Sequence, residues 1–389
     1  NAFGGVVLFG PGSTYTTVQG NYIGTDVTGG LPLGNGNDGI VIATAHYNLI
    51  GGTEPGSANV IGGTTNDSGE GYGILANQAH DNTIIGNYIG TNAAGADLGN
   101  ASAGILISGF DPHLHNLVSQ NRIAFNSGLG IDLSVDYPAN GVTPNDPGDG
   151  DTGPNDLQNF PVLSTAETNG SSIAITGTLN STANTAFQVE FFANNTCDPS
   201  GYGEGQYYLG SAQVTTNASG DAVINANLTA SVSAGQYITA TATDLTTNDT
   251  SEFSACVEAT FIPTAPQTYT VNSTADPGDG VCNVTECTLR EAIDAANANA
   301  GFTDTIAFNI PGAGPHTIQP TIPLPIITDP VIIDGWTEPD FAGTPVIEID
   351  GSLAGGPPDS VKGLWITAGN STVRGLVINR FLSVGIALS

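Results

Sequence analysis

Positive charge is nearly absent from this sequence. Its 389 residues include five Lys and Arg against 36 Asp and Glu, which gives a formal net charge of −31. Proteins that bind nucleic acid or anionic lipid draw much of their affinity from Lys and Arg, because these residues displace counterions. The composition therefore excludes nucleic acid as a partner. It favours divalent cations as partners, or an acidity that only keeps an extracellular protein soluble.

Long apolar runs and long helical periodicity are missing as well. No stretch approaches the roughly 20 apolar residues of a membrane-spanning helix, so we expect no membrane insertion. The sequence starts at Asn1 without an initiator Met or a signal peptide, so we expect an internal or processed position there. Instead there are 53 Gly and 23 Pro with many Val, Ile, Thr and Asn, a composition typical of short strands and tight turns. The predicted fold class is mainly β.

Cysteine is scarce, and its distribution is informative. The four cysteines fall into two neighbouring pairs without the CxxC spacing of a metal site. An even number in such a chain favours disulfides and an oxidising compartment. We expect Cys197 to pair with Cys256 and Cys282 to pair with Cys287. We therefore infer secretion and an extracellular or cell-surface location.

A repeated module organises the first third of the chain. It is a glycine followed by a short apolar strand, and its successive glycines lie 34, 34, 31 and 26 positions apart. About three strands per period fit one rung of a right-handed parallel β-helix, whose inward apolar residues stack at ~4.8 Å. We assign residues 1–140 to the C-terminal part of such a solenoid. The modules lie at residues 5–8, 39–42, 73–76, 104–107 and 130–133.

Asparagines recur at matching positions between these strands. Asn tolerates left-handed backbone, and its amide can bond to the Asn of the next rung. We predict an asparagine ladder that consists of Asn21, Asn59, Asn87, Asn121 and Asn379.

The sequence pattern changes after these rungs. Residues 141–158 form a turn-rich acidic connector. Residues 159–263 carry alternating strands at intervals typical of an antiparallel, Ig-like β-sandwich.

The chain contains one convincing helical pattern, at residues 288–298, with Leu289, Ile293 and Ala296 on one face. New strands follow it. A solenoid must cover its first rung, because an unpaired strand edge is a template for other chains. We therefore predict that residues 267–389 comprise a capping helix and the N-terminal part of a second β-helix.

The segment Cys287-Thr288-Leu289-Arg290-Glu291-Ala292 resembles the CSLREA motif, with Thr288 in the serine position. In large secreted bacterial and archaeal proteins, that motif resembles the start of a right-handed β-helix module. The rung at residues 20–26, repeated at residues 86–92, is similar to the repeats that follow the motif. Residues 160–262 resemble a bacterial Ig-like domain. The resemblance implies a secreted surface or fibrous protein, of a kind mostly without assigned activity.

The order of these segments differs from the order in the family that the chain resembles. There a cap precedes rungs, connector and sandwich, whereas this chain begins with rungs and returns to cap and rungs. Either one tandem giant repeats this cycle, or separate subunits complete each other's solenoid head to tail; an arbitrary fragment of a long protein is the third possibility. The predicted polymer interface consists of Val6, Val7, Leu8, Val377, Ile378, Ile386 and Leu388.

Two identical Asp-Pro-Gly-Asp-Gly loops are candidate Ca²⁺ sites, although neither has EF-hand spacing. Solvated turns are the alternative interpretation. His113 and His115, beside Asp111, have a spacing that suits a transition metal or a simple polar turn. The predicted Ca²⁺ ligands are Asp146, Asp149, Asp151, Asn155 and Asp156 for the first loop, and Asp276 and Asp279 for the second.

We expect a non-catalytic extracellular structural protein that forms a filament, fibre or sheath with copies of itself. β-Helix lyases and hydrolases need several cations or clustered carboxylates, and the first 120 residues contain no Lys or Arg. The second alternative is a cell-surface adhesin for carbohydrate, which an exposed aromatic row would favour. Sequons at Asn180, Asn194 and Asn370 permit glycan attachment.

Overall fold

The structure is a computed structural model that describes residues 4–65, 71–110, 114–262, 265–357 and 361–389. The chain divides into two compact units, residues 1–261 and residues 262–389. Strands dominate both units, and the one α-helix among the described residues lies in the second. The prediction of a mainly β fold is therefore confirmed.

The first unit opens with short parallel strands in a repeating cycle of three sheets, which we call the first coil. Each strand pairs with the strand three places later in the chain, as in a β-helix-like stack of rungs. The sheets have the orders β1-β4-β7-β10-β13, β2-β5-β8-β11 and β3-β6-β9-β12. The strands are β1 (Val6–Phe9), β2 (Thr17–Val18), β3 (Tyr22–Ile23), β4 (Ile40–Ala43), β5 (Leu49–Gly51), β6 (Val60–Ile61), β7 (Ile74–Asn77), β8 (Thr83–Ile85), β9 (Tyr88–Ile89), β10 (Ile105–Ser108), β11 (Leu117–Ser119), β12 (Arg122–Ile123) and β13 (Ile131–Ser134).

The repeated glycine modules lie in register in the five-stranded sheet. Val6 pairs with Ile40, and Ile40 pairs with Ile74. Alternate residues of these strands point inward, where they form one buried apolar core. The module requires glycine because a Cβ at Gly39 would lie 2.5 Å from the carbonyl oxygen of Gly73 in the next rung.

Side-chain amides join successive rungs at the turns. Nδ2 of Asn21 donates to Asn59, Nδ2 of Asn59 donates to Asn87, and Nδ2 of Asn87 donates to Asn121, over 2.9 to 3.0 Å. Asn87 is buried and its Nδ2 also donates to a backbone carbonyl of the previous rung. These four asparagines therefore fix the spacing of four rungs.

Sequence reasoning missed two further ladders. Asn48, Asn82 and Asn116 are joined by amide bonds of 3.0 Å across sequence separations of 34 residues. Asn100 donates to Asn126 in the same way. The first of these ladders has the same 34-residue period as the glycine modules, which is the signal that would have revealed it.

The rest of the first unit is a sandwich of two four-stranded sheets, of orders β18-β15-β14-β21 and β17-β16-β19-β20. Its pairs are antiparallel, except that β21 pairs parallel with β14. Residues of both sheets share one apolar core. The strands are β14 (Val162–Thr168), β15 (Ile173–Asn180), β16 (Ala186–Asn194), β17 (Tyr207–Thr215), β18 (Asp221–Leu228), β19 (Tyr237–Asp244), β20 (Val257–Glu258) and β21 (Thr260–Phe261).

The predicted disulfide of the sandwich is confirmed, because Cys197 and Cys256 are bonded. The first coil and the sandwich belong to one compact unit, residues 1–261. Contacts between the last rung of the first coil and the sandwich, described below, join them, and the boundaries at residues 140 and 159 stay a prediction.

The second unit contains a further set of parallel strands, the second coil, with sheet orders β22-β23-β25-β28, β24-β26-β29 and β27-β30. Short 3₁₀ turns lie at Gly335–Thr337 and Gly351–Leu353. The strands are β22 (Thr268–Val271), β23 (Asp304–Phe308), β24 (His316–Ile318), β25 (Val331–Asp334), β26 (Ile347–Asp350), β27 (Leu364–Ile366), β28 (Thr372–Arg374), β29 (Leu376–Asn379) and β30 (Ile386–Leu388).

Helix α1 (Leu289–Ala298) lies at the start of the second coil, between β22 and β23, rather than ahead of all its strands as predicted. Thr288 is its N-cap and forms a reciprocal capping box with Glu291, which fixes where the helix begins. Leu289, Ile293 and Ala296 are buried in the core of the second unit. The predicted disulfide between Cys282 and Cys287 is present just before the helix.

Asn379 does not belong to the asparagine ladder. It ends β29, and its Nδ2 donates to the carboxylate of Glu348 at 2.8 Å. In this rung Leu376 follows the turn glycine Gly375, where the first coil has asparagine. The ladder position in this rung is therefore apolar.

The ladder yields a stability prediction. Asn87→Ala removes a buried amide and leaves its partners unsatisfied, so the free energy of unfolding should fall by about 3 kcal/mol. Asn225→Ala is the control, because Asn225 is exposed on β18, and it should change stability by less than about 0.5 kcal/mol. Urea unfolding measures both; equal losses would contradict a structural role for the ladder.

Candidate functional site: finished and open coil ends

The sandwich closes the last rung of the first coil with three buried glutamates, which we call the carboxylate cap. The carboxylate of Glu252 accepts the N–H groups of Leu133 and Thr143 at 3.0 and 2.9 Å. The carboxylate of Glu190 accepts the N–H of Gln120 at 2.8 Å. These oxygens occupy the place of carbonyl oxygens that a further rung would supply.

Glu204 closes an asparagine ladder in the same way. Its Oε1 accepts a bond from Nδ2 of Asn126 at 2.7 Å. Beside it, Ile123 and Gly205 exchange backbone bonds of 2.9 and 3.0 Å. Asn155 ends another ladder, because its amide bonds to the backbone N–H and carbonyl of Asn116.

Burial dominates the electrostatics of the carboxylate cap. Desolvation raises the pKa of Glu204 to about 8 and the pKa of Glu252 to about 8, and it raises the pKa of Glu190. Bonds from the coil lower each pKa, but by less than burial raises it. Glu204 and Glu252 are therefore mainly protonated at neutral pH.

Helix α1 is the corresponding cover of the second coil. It packs against β22 and β23, the first strands of that coil. Its buried face joins the same apolar core as the rungs. Each coil therefore has one end that a dedicated element finishes.

The opposite end of the first coil has no such cover among the described residues. There β1, β2 and β3 are edge strands, each paired on one side only. Val7 and Phe9 are 47% and 74% exposed, while Leu8 is buried and Val6 is half-buried. Three of the four side chains of β1 are thus in partial or full contact with solvent, although all are apolar.

The opposite end of the second coil is similar. Its edge strands are β28, β29 and β30. Ile386 and Leu388 are 44% and 77% exposed, and Val377 is also exposed. A crevice of about 670 Å³ opens at this end, and its lining includes Ile366, Val373, Ile386 and Leu388 together with residues 367–371 and Ser389. Ile378, the remaining predicted interface residue, is half-buried.

The first acidic loop brings three predicted ligands together. Ligand oxygens of Asp146, Asp149 and Asp151 lie within 4.8 Å of one another. Burial, and then the charges of the two neighbouring aspartates, raise the pKa of Asp149 to about 6, although bonds from Ser181 and Asn159 oppose the rise. Ca²⁺ binding at this loop stays a prediction.

The other predicted ligands are engaged elsewhere. Asn155 belongs to the ladder described above. Asp156 lies with His115 and Asp249, and the carboxylate of Asp249 lies 2.9 Å from Nδ1 of His115. Asp111 and His113 lie outside the described residues.

The second loop also separates its predicted ligands. Burial raises the pKa of Asp276, but paired bonds from Arg290 and bonds from Thr321 outweigh it and hold this pKa below its usual value. Asp279 lies instead with Glu286 and Glu291. Asp276 and Asp279 therefore do not converge on one cation.

Every cation of the chain already has a partner. Three arginines form bidentate pairs with carboxylates, and the other two cations lie over aromatic rings. The pairs are Arg290 with Asp276, Arg374 with Asp334, Arg380 with Asp350, Arg122 with Tyr88 and Tyr207, and Lys362 with Trp365.

Two surface features concern carbohydrate. Tyr15 and Tyr47 form an exposed pair, but their rings stack on each other at 5.4 Å, so each covers one face of the other. Of the predicted glycan acceptors, Asn370 is exposed and Asn180 donates to Asp221. Asn194 is buried and bonded to Thr239, so its sequon is not accessible.

No protein-family model matches this chain, and no curated protein matches it. Among the described residues, no helix combines the length and the apolar character that crossing a membrane requires.

The carboxylate cap predicts a pH dependence. The pKa values of Glu204 and Glu252 are about 8 in the folded chain, above the unfolded value near 4.3, so the folded state binds more protons between these limits. These two glutamates therefore make their full contribution to the free energy of unfolding below about pH 4. That contribution, roughly 2 to 5 kcal/mol, is lost as the pH rises through about 8.

Denaturant unfolding at pH values across this window measures the loss. The double variant Glu204→Gln and Glu252→Gln should flatten the curve, whereas Glu167→Gln, at an exposed position of β14, should leave it unchanged. A double variant that keeps the full dependence would contradict the assignment.

Calcium binding at the first loop is tested by thermal unfolding. If Asp146, Asp149 and Asp151 hold Ca²⁺, the midpoint should rise by about 2 to 4 °C in Ca²⁺ relative to chelator. Asp151→Asn should abolish this difference, and Glu258→Gln, at an exposed position of β20, should preserve it. Identical unfolding midpoints in Ca²⁺ and in chelator would contradict Ca²⁺ binding at this loop.

Proposed function

We propose that this protein is a non-catalytic extracellular structural protein that forms a filament, fibre or sheath. Copies of the chain associate head to tail, and the open end of the second coil in one copy meets the open end of the first coil in the next. In this proposal the coils are right-handed β-helices of the CSLREA type and the sandwich is Ig-like. The two disulfides support an oxidising, extracellular location.

The observation that carries the proposal is the contrast between the ends of each coil. One end has a dedicated cover, the carboxylate cap or helix α1, whereas the other presents apolar edge strands. Soluble proteins usually protect such edges with charge, proline or a covering element. An edge without these devices is suited to pairing with another edge.

The energetics favour association through these ends. Burial of a large apolar side chain such as Leu388 or Ile386 contributes about 1.5 to 3 kcal/mol. Association costs an estimated 4 to 15 kcal/mol in lost rigid-body freedom. Several apolar side chains together with the backbone bonds of new strand pairs are therefore needed, and each open end offers both.

The competing functions have less support. An enzyme for acidic polysaccharides needs cations to neutralise its substrate, yet the five Lys and Arg side chains are engaged with carboxylates or aromatic rings. An adhesin needs open aromatic faces, yet the rings of Tyr15 and Tyr47 stack on each other.

Leu388→Lys tests the proposal. A lysine there would be buried in the joint, so assembly should weaken by at least about a hundredfold. Val223→Lys is the matched control, because Val223 is 78% exposed on the sandwich and Leu388 is 77% exposed, and it should assemble normally. Sedimentation and electron microscopy measure assembly.

Normal filaments from Leu388→Lys would contradict head-to-tail association through the second coil. The mass of the denatured native material separates the two forms of the proposal. A mass of one chain identifies a subunit polymer, and a multiple of it identifies a tandem giant.

A further inference from the structure

Both coils contain strands that directly follow a glycine and that pair with one another from rung to rung. In the first coil, β1 and the strands that pair along its sheet each follow the module glycine, at Gly5, Gly39, Gly73, Gly104 and Gly130. In the second coil, β27 and β30 follow Gly363 and Gly385 and pair with each other. β30 and β1 therefore hold the same place in the three-strand cycle, so they can stack as neighbouring rungs.

The glycines define the register of this stack. A Cβ at Gly5 would meet the carbonyl oxygen of Gly39 at 2.9 Å, and a Cβ at Gly363 would likewise meet the carbonyl of Gly385. Each module glycine thus faces the module glycine of the following rung. For Gly385, the nearest atoms belong to Ile378 of its own rung. The position in front of Gly385 is where the glycine of a following rung belongs.

The hydrogen bonds run in a fixed direction. The N–H of Ile40 donates to Gly73, and the N–H of Leu364 donates to Gly385, in each case to the glycine carbonyl of the following rung. The equivalent donor on the edge strand β30 is the N–H of Ile386. The glycine carbonyl of the first rung of another coil, at Gly5, is its matching acceptor.

The side chains at the two edges are complementary. Within the second coil, Leu364 and Ile366 point inward and pair with Ile386 and Leu388, which are the exposed side chains of the crevice. In the first coil, Val6 and Leu8 are the inward residues of β1. Stacking β1 on β30 places apolar inward residues against apolar inward residues.

Charge does not oppose this contact. The edge strands β1, β2, β3, β29 and β30 contain no Asp, Glu, Lys or Arg. The one charged residue on β28 is Arg374, which Asp334 neutralises. Charged side chains are one device by which proteins discourage pairing between sheet edges, and these five strands do not carry any.

We propose that β30 of one copy pairs in parallel with β1 of a second copy, with Ile386 opposite Val6, Ala387 opposite Val7 and Leu388 opposite Leu8. This inference rests on the proposed function and specifies its joint. This pairing joins the sheet of β27 and β30 to the sheet that begins with β1. Strands β28 and β29 come before β30 in the cycle, and β2 and β3 come after β1, so the proposal makes no claim of pairing between them.

Disulfide trapping between two single variants tests the register. Val7 and Ala387 both point outward and are predicted partners, so their Cα atoms would lie ~4.8 Å apart, within the range for a disulfide. Mixed Val7→Cys and Ala387→Cys chains should form a covalent dimer on mild oxidation. The control mixture pairs Ala387→Cys with Phe9→Cys, which lies on the same face of β1 but is displaced by two residues, ~7 Å.

The first mixture should yield at least about tenfold more dimer than the control, because the control Cα atoms are too far apart to be bridged. Electron microscopy of the same samples separates the possible failures. Filaments with equal or greater cross-linking in the control would overturn the register and leave the proposed function standing. Neither filaments nor dimers from either mixture would overturn both.

Discussion

The fold depends on the stacking of each rung on its neighbour in register. A rung of three short strands cannot bury its apolar side chains alone, so stability accumulates only as rungs add. Because side chains alternate between faces, a slip of one residue would turn Ile40 and Ile74 outward. The glycine modules and asparagine ladders prevent such a slip, because a module glycine leaves room for the backbone of the adjacent rung and each ladder amide donates to one asparagine of the next rung.

Because each rung needs a neighbour, the last rung of a coil needs hydrogen-bond partners from another element. At the finished end of the first coil, the sandwich supplies acceptors where a rung would supply carbonyls. Glu252, Glu190 and Glu204 accept bonds from the last rung, and Gly205 adds a short backbone pairing with Ile123. Sealing a coil in this way requires buried carboxylates, whose raised pKa values are the cost of the seal. The described residues show no such arrangement at the open ends, and we infer that a further rung replaces it there.

The sequence predicts features that repeat or are local. The glycine modules predicted the in-register sheet because they recur at nearly regular spacing. The helix was predicted from Thr288 and from the apolar face that follows it. The disulfides were predicted because the four cysteines form two neighbouring pairs along the sequence. The carboxylate cap was not predictable, because Glu190 lies in an ordinary alternating strand and its partner Gln120 is 70 residues away. For the same reason Asn155 was taken as a loop ligand, although Asn116 binds it from 39 residues away.

Hydrogen exchange across assembly tests the central claim most directly. The backbone amides of an edge strand become slow to exchange when another strand pairs with them. Assembled material should therefore show new protection in β1 and in β30, with no change in β13 or α1, which are covered within one chain. Protection confined to the sandwich surface, with β1 and β30 exchanging as fast as in single chains, would contradict the account.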